Sequence, residues 1–157
     1  MGTPNEQTSF KKRGCSGMIG AIIAKRLAGS GFNELSRHDL AKFMAAWAED
    51  GTFTFPGNTS MSGEMKGKKA IEAWFAKMME QFPKIDFTVK EVFVSNIFAL
   101  GATNSIAVEW DVSETNREGK EFQNSGVTII RIKGGKAVAI RDYIFNTDIL
   151  KEAWGEV

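Results

Sequence analysis

The 157 residues include twenty basic and nineteen acidic side chains for a formal net charge of +1, and 43% are apolar and 11% aromatic. Near-neutral charge supplies no field to gather phosphates or anionic headgroups, so neither nucleic acid nor membrane is an expected partner, and the composition is that of a globular chain. A single cysteine, Cys15, excludes an intramolecular disulfide, and a single histidine, His38, excludes a site built from several histidines; no metal and no cofactor are expected.

Residues 1–15 are polar, contain Pro4 and Gly14, and show no periodic apolar pattern; they read as a disordered leader before one domain over 16–157. The basic triplet Lys11, Lys12 and Arg13 with the weakly apolar stretch behind it superficially imitates a signal peptide. Lys25 and Arg26 interrupt it, and nothing approaches the roughly 18 apolar residues of a membrane span, so a cytoplasmic location is expected. Ile19, Ile22, Ile23 and Leu27 recur at helical spacing and predict a first helix from Ser16 that stops at Gly29 and Gly31. Ser36 and Asp39 have the spacing of a capping pair. Leu40, Phe43, Met44 and Trp47 then follow at i, i+3, i+4 and i+7, predicting a second helix to about Glu49. Thr52 to Phe55 alternates as a short strand, and residues 57–67 read as a polar loop. Ile71, Trp74, Phe75, Met78, Met79 and Phe82 form one apolar stripe that ends at Pro83, a third helix.

The remainder reads as strands. Ile85, Phe87 and Val89 share one parity and Val92 and Val94 the other, so a bulge is expected at Lys90 and Glu91, where the sheet bends. A strand over 104–113, a turn at Asn116 to Gly119, a strand over 122–133, a hairpin turn at Gly134 and Gly135, and a last strand to about Phe145 complete the pattern. A short helical tail near Thr147 to Trp154 is expected to pack on the outside. Helices followed by a strand meander indicate an α+β layer arrangement.

The last strand places Asp142 in one row with Val138, Ile140 and Ile144. A carboxylate on an apolar sheet face is costly unless bonded, paired or protonated, and burial would raise its pKa toward the range where a general acid or base operates. Asp142 is therefore the first candidate catalytic residue, with Asn146 in the same row as its candidate oxygen contact. The bland alternative pairs Asp142 with Arg131 or Arg141, or has it cap a backbone amide at the rim of the sheet. Glu109 and Asp111 share the parity opposite to Trp110. If their face is concave, Asp111 joins Asp142 as a catalytic carboxylate and Glu109 touches the ligand; if it is convex, both are ordinary solvated side chains. Helices across a curved sheet leave an interior space, and Phe43, Trp47, Phe55, Phe75, Met79, Ile140 and Ile144 are its candidate walls. His38, in a polar turn, reads as exposed and idle.

Taken in order, the segments AAWAEDGTFTFPG, KGKKAIEAWFAKMMEQFP, SIAVEWDV, GKEFQNSGVTIIRIKGGK and IRDYIFNTDIL resemble the nuclear-transport-factor-2-like superfamily and, within it, the SnoaL-like or ketosteroid-isomerase-like group. The resemblance implies a cone-shaped, curved, mostly antiparallel sheet covered by three N-terminal helices, a cystatin-like α+β barrel that is commonly a homodimer. It further implies a pocket for a small hydrophobic molecule and, in the catalytic members, isomerase or cyclase chemistry without a cofactor; other members only bind. Arg141, Asp142 and Tyr143 are similar to the context of a catalytic aspartate in limonene epoxide hydrolase. That enzyme's arginine and water-positioning groups have no counterparts at Glu109, Phe53 and Phe55, so its reaction is not implied here. Many relatives carry an acid where this chain has Asn146.

Overall fold

The computed structural model describes residues 26, 28–96 and 103–156. The expected leader and the start of the expected first helix, residues 1–25, lie outside them. Helix α1 covers residues 28–36 and runs through Gly29 and Gly31, which therefore do not stop it. The stop is His38. It adopts φ +56°, the left-handed conformation usually reserved for glycine after a helix, while Asp39 N–H reaches back to Glu34 O at 2.9 Å and His38 N–H to Leu35 O at 3.0 Å. The histidine is not idle either, because its Nε2 hydrogen-bonds Phe82 O at 2.9 Å. Ser36 is the last turn of α1 rather than a cap. Asp39 caps α2, Leu40–Ala45, by accepting from Lys42 N–H.

The second helix is shorter than its apolar spacing suggests. Its last carbonyls are claimed by another element: Ala137 N–H donates to Ala46 O at 2.9 Å and Lys136 Nζ to Ala45 O at 2.6 Å. From Trp47 the chain is β1, Trp47–Phe55. The expected loop at 57–67 contains an edge strand β2, Gly63–Lys66, paired antiparallel with β1; a single half-buried apolar residue, Met65, among exposed neighbours gives no alternation to detect. Helix α3 is Lys68–Gln81, as its stripe predicts, and buries Ile71, Trp74, Phe75 and Met78.

Strands β3, Lys84–Val94; β4, Asn104–Thr115; β5, Glu121–Lys133; and β6, Lys136–Ile144, form an antiparallel meander. The sheet order is β2-β1-β6-β5-β4-β3, with β1 parallel to β6, giving a curled, unclosed six-stranded sheet under three helices. The β3 irregularity falls between Val89 and Glu91, where the parity slip places it. Gly134 and Gly135 take φ +56° and +76°, as a two-residue hairpin requires. After β6 a short helix α4, Leu150–Ala153, does not pack outside: Leu150, Ala153 and Trp154 are buried in the core.

Candidate functional site

Between the helices and the inner face of the sheet lies a hollow of about 340 Å³. Phe43 from α2 and Trp74, Phe75 and Met78 from α3 wall it on the helix side; Trp47, Phe53 and Phe55 from β1, Ile106, Trp110 and Val112 from β4, Ile130 and Ile132 from β5, and Ile140 and Ile144 from β6 wall it on the sheet side. Leu150 and Trp154 add walls from the tail, so all four tryptophans of the chain face this space. The rings brace one another: Phe53 stands 4.8 Å from Trp74 and 4.9 Å from Phe75, and Phe43 stands 4.5 Å from Phe75. Trp47 shares the parity of Phe53 and Phe55, and β1 is irregular between it and Thr52. The six residues of β1 from Trp47 to Thr52 match three of β6, Ala137 to Ala139, and Gly51 sits in the fold-over, where a Cβ would lie 3.0 Å from the Trp47 ring.

Asp142 lines this hollow and is the polar intrusion in its sheet wall that the β6 alternation implies. Thr128 lies opposite it on β5, and its hydroxyl donates to Asp142 Oδ1 at 2.6 Å. Trp110 Nε1–H in turn donates to Thr128 Oγ1 at 2.9 Å. An indole N–H can only donate, so it fills the acceptor side of the threonine hydroxyl and leaves that hydroxyl's proton for Asp142. Burial pushes the Asp142 carboxyl up to about 6, and the Thr128 hydrogen bond, which favours the ionised form, pulls the other way. Oδ2 has no partner among the described residues. Neither Arg131 nor Arg141 pairs with the carboxylate, and among the described residues its hydrogen-bond partner is the Thr128 hydroxyl and not a backbone amide, so the bland alternative does not account for it.

Gly126 completes this wall. It faces Trp110 across β4 and β5, and a Cβ there would stand 2.7 Å from the indole Cζ2 and 2.5 Å from Tyr143 O. Only a residue without a side chain lets the indole lie against β5 and reach Thr128.

Of the other expected residues, Phe43, Trp47, Phe55, Phe75, Ile140 and Ile144 line the hollow beside Asp142. Four do not. Asp111 is exposed on the opposite face, where Lys90 Nζ pairs with it at 3.1 Å, and Glu109 is exposed on the same face, because the β4 alternation turns Trp110 inward and its neighbours outward. Asn146 lies past the end of β6 and is exposed; its side-chain oxygen accepts from Asp148 N–H at 3.2 Å. Met79 packs against the core from a neighbouring position on α3, and Met78 is the methionine at the hollow.

Among the polar groups that line the site beyond the expected ones, Thr128 and Glu114 stand in the inner rows of the sheet. Thr128 shares the β5 row that holds Ile130 and Ile132, the same kind of signal that marks Asp142. Glu114 extends the inner row of β4 beyond Val112 and lines the hollow; burial pushes its carboxyl up to about 7. Ending the strand at 113 hides it. Among the described residues no three His, Cys, Asp or Glu side chains cluster as metal ligands.

The sequence pattern of the SnoaL-like domain matches residues 30–140. No curated protein matches the chain. Among solved structures, Bal32a from a soil-derived mobile gene cassette superposes with a TM-score of 0.74 at 17% identity, covering 86% of this chain and 98% of that one. An NTF2-like protein of unknown function from Burkholderia pseudomallei gives 0.69 at 19% identity, with 83% and 95% covered. A Bacillus subtilis protein provisionally named an isomerase gives 0.69 at 22% identity, with 88% and 96% covered. At these identities the likeness is one of fold.

Proposed function

We propose, on the premise that this chain belongs to the SnoaL-like domain family, that its hollow binds a small, largely apolar molecule on which Asp142 moves a proton. The family holds many chemistries on one scaffold, so the reading rests on the site and not on the fold. The observation that carries it is a carboxyl raised to about 6, set in an apolar wall, with one oxygen held by Thr128 and the other without a partner among the described residues. A group with that pKa is divided between acid and base near neutral pH, which is what a proton shuttle needs.

The reaction class that suits one such carboxyl is isomerisation or ring closure next to a carbonyl. Oδ2 of ionised Asp142 takes a proton from the carbon beside the carbonyl. The C–H electron pair becomes the carbon–carbon double bond of an enolate, and the carbonyl π pair moves onto oxygen. Return of the proton to that carbon, or to its vinylogous position, regenerates the carboxylate with no cofactor consumed. Proton transfer of this kind contributes about 10²- to 10⁴-fold in rate. The aromatic walls supply shape and exclude water; the Trp110 and Thr128 hydrogen bonds fix the carboxyl plane.

The direct test is deuterium exchange at the α-carbons of a panel of cyclic enones and polyketide-like ketones, run with the protein and with Asp142→Asn. Exchange that is faster with the unaltered protein supports the reading. Equal rates for every compound would reduce the hollow to a binding site.

We also take the protein to be a cytoplasmic homodimer. Among the described residues no helix is long and apolar enough to cross a membrane. Phe93 and Tyr143, on the outer face of the sheet, and Phe145 beyond it are 58%, 49% and 67% exposed, apolar surface that suits a second copy. Sedimentation of Tyr143→Glu as a monomer supports this assembly, and a monomeric unaltered protein rules it out.

A further inference from the structure

Glu114 is a further carboxyl of the hollow besides Asp142 and Glu34, whose Oε1 accepts from the Ser30 hydroxyl, and the proton chemistry assigned to Asp142 does not use it. It stands on β4 between Val112 and the strand end, and its carboxyl takes part in no hydrogen bond or ion pair among the described residues. It also borders a shallow groove on the adjoining surface, whose ionisable residues are His38, Lys84, Asp86 and Glu121. None of these satisfies it. His38 Nε2 is committed to Phe82 O, and Lys84 lies opposite Thr115 with no ion pair to the glutamate.

Its place along the sheet is set by the register. Thr128, which holds Asp142, lies opposite Val108; Glu114 lies six residues further along β4, opposite Phe122. At 3.4 Å per residue that is roughly 20 Å of strand, so Glu114 and Asp142 stand well apart along one largely apolar space. Glu114 is half-buried, and its carboxyl gives up part of its hydration to a largely apolar wall without gaining a protein partner.

We propose that Glu114 is a specificity-determining residue that accepts a hydrogen bond from a hydroxyl or amine at the end of the ligand remote from Asp142. The ligand class is then an elongated apolar molecule with one donor-bearing terminus. This deepens the reading of the hollow as a ligand site and does not depend on Asp142 being catalytic. Above its raised pKa the carboxylate is an acceptor only, so it discriminates a donor from an ether of the same length. A site built to pair a donor rejects the analogue that lacks it.

The experiment titrates the protein at pH 8.5 with 1-decanol, decylamine and 1-methoxydecane and follows the fluorescence of the four cavity tryptophans. The ether is the most apolar of the three and binds best if oiliness alone decides. The expected result is that the alcohol and the amine bind about tenfold more tightly than the ether. Glu114→Leu abolishes that preference, while Glu114→Gln, which keeps the shape and an acceptor oxygen, retains it for the alcohol and loses it for the amine. Equal binding of all three, or a preference that Glu114→Leu retains, overturns the assignment and leaves the hollow as a ligand site. No fluorescence change with any compound overturns the hollow as a site for such ligands and this assignment with it. Neither result bears on exchange chemistry at Asp142, which the α-carbon assay reads separately.

Discussion

Thr128 Oγ1 lies 2.6 Å from Asp142 Oδ1 across the β5–β6 pair, yet burial still holds that carboxyl at about 6 instead of its ordinary 3.8. The difference is worth about 3 kcal/mol and has a definite sign. Between pH 3.8 and about 6 the folded chain binds more protons at this position than the unfolded chain does. Its stability contribution from Asp142 is therefore fully present below that window and is lost as pH rises through it. Asp142→Asn removes the titration while its amide oxygen still accepts from Thr128. The variant is expected to be more stable than the unaltered protein by up to about 3 kcal/mol at pH 8, and the two are expected to converge near pH 4. Urea unfolding at four pH values between 4 and 8 measures this. A difference that does not change with pH, or an unaltered protein that is the more stable at pH 8, contradicts a desolvated carboxyl.

Removing the donor acts in the opposite sense on the ionised form. Thr128→Val keeps the shape and takes away the hydroxyl that favours the carboxylate, so the Asp142 pKa rises further above about 6. In the α-carbon exchange assay, the limb on which rate increases with pH then moves to higher pH. Trp110→Phe leaves the hydroxyl in place but frees its direction, and a smaller displacement the same way is expected. A lower rate with an unmoved midpoint in both variants would make Trp110 and Thr128 packing residues only.

How the threonine comes to face Asp142 shows where sequence reading stops. Alternation alone puts Asp142 in the apolar row of β6, and the two hairpin glycines set the turn. Counting pairs outward from Lys133 and Lys136 would then place Arg141 opposite Thr128. The register shifts between Arg131 and Ile132, and the shift brings Asp142 opposite Thr128 instead. That slip leaves no composition signal, unlike the one at Lys90 and Glu91, where a visible change of parity announces it. The helix ends were hidden for a related reason. Trp47 continues the spacing of α2, and only the tertiary bond from Ala137 to Ala46 turns that backbone into strand; Gly29 and Gly31 look like stops, and His38 performs the stop. The parity that points to Asn146 outlasts its strand, which ends at Ile144, and Glu114 lies on β4 beyond the strand end that alternation predicts.

Gly126 offers a steric test of the Trp110 wall. Its φ is not in the left-handed region, so any cost of Gly126→Ala comes from contact and not from backbone conformation. The new Cβ would meet Tyr143 O at 2.5 Å, an atom of the β6 backbone that cannot swing aside, and Trp110 Cζ2 at 2.7 Å. Overpacking of this kind costs about 1–3 kcal/mol. Thermal unfolding should show that loss, together with an altered tryptophan spectrum as the indole leaves Thr128. A neutral Gly126→Ala would mean that the indole is not pressed against β5.

The last prediction concerns the joint between the ends of α1 and α3. His38 does two things there: it accepts the left-handed φ of +56° that closes α1, and it bonds Phe82 O at the end of α3. Leu35 and Phe82 both wall the hollow, so the joint fixes one end of it. His38→Ala loses the bond and keeps the unfavourable backbone, a cost of about 1–2 kcal/mol. His38→Gly loses the same bond but adopts that φ freely, and offsets part of the loss. The glycine variant should thus be the more stable of the two, by about 1 kcal/mol, the reverse of their order inside a helix. Denaturant midpoints of the two proteins decide it: an alanine variant that outlasts the glycine variant would show that the backbone at His38 carries no strain worth relieving.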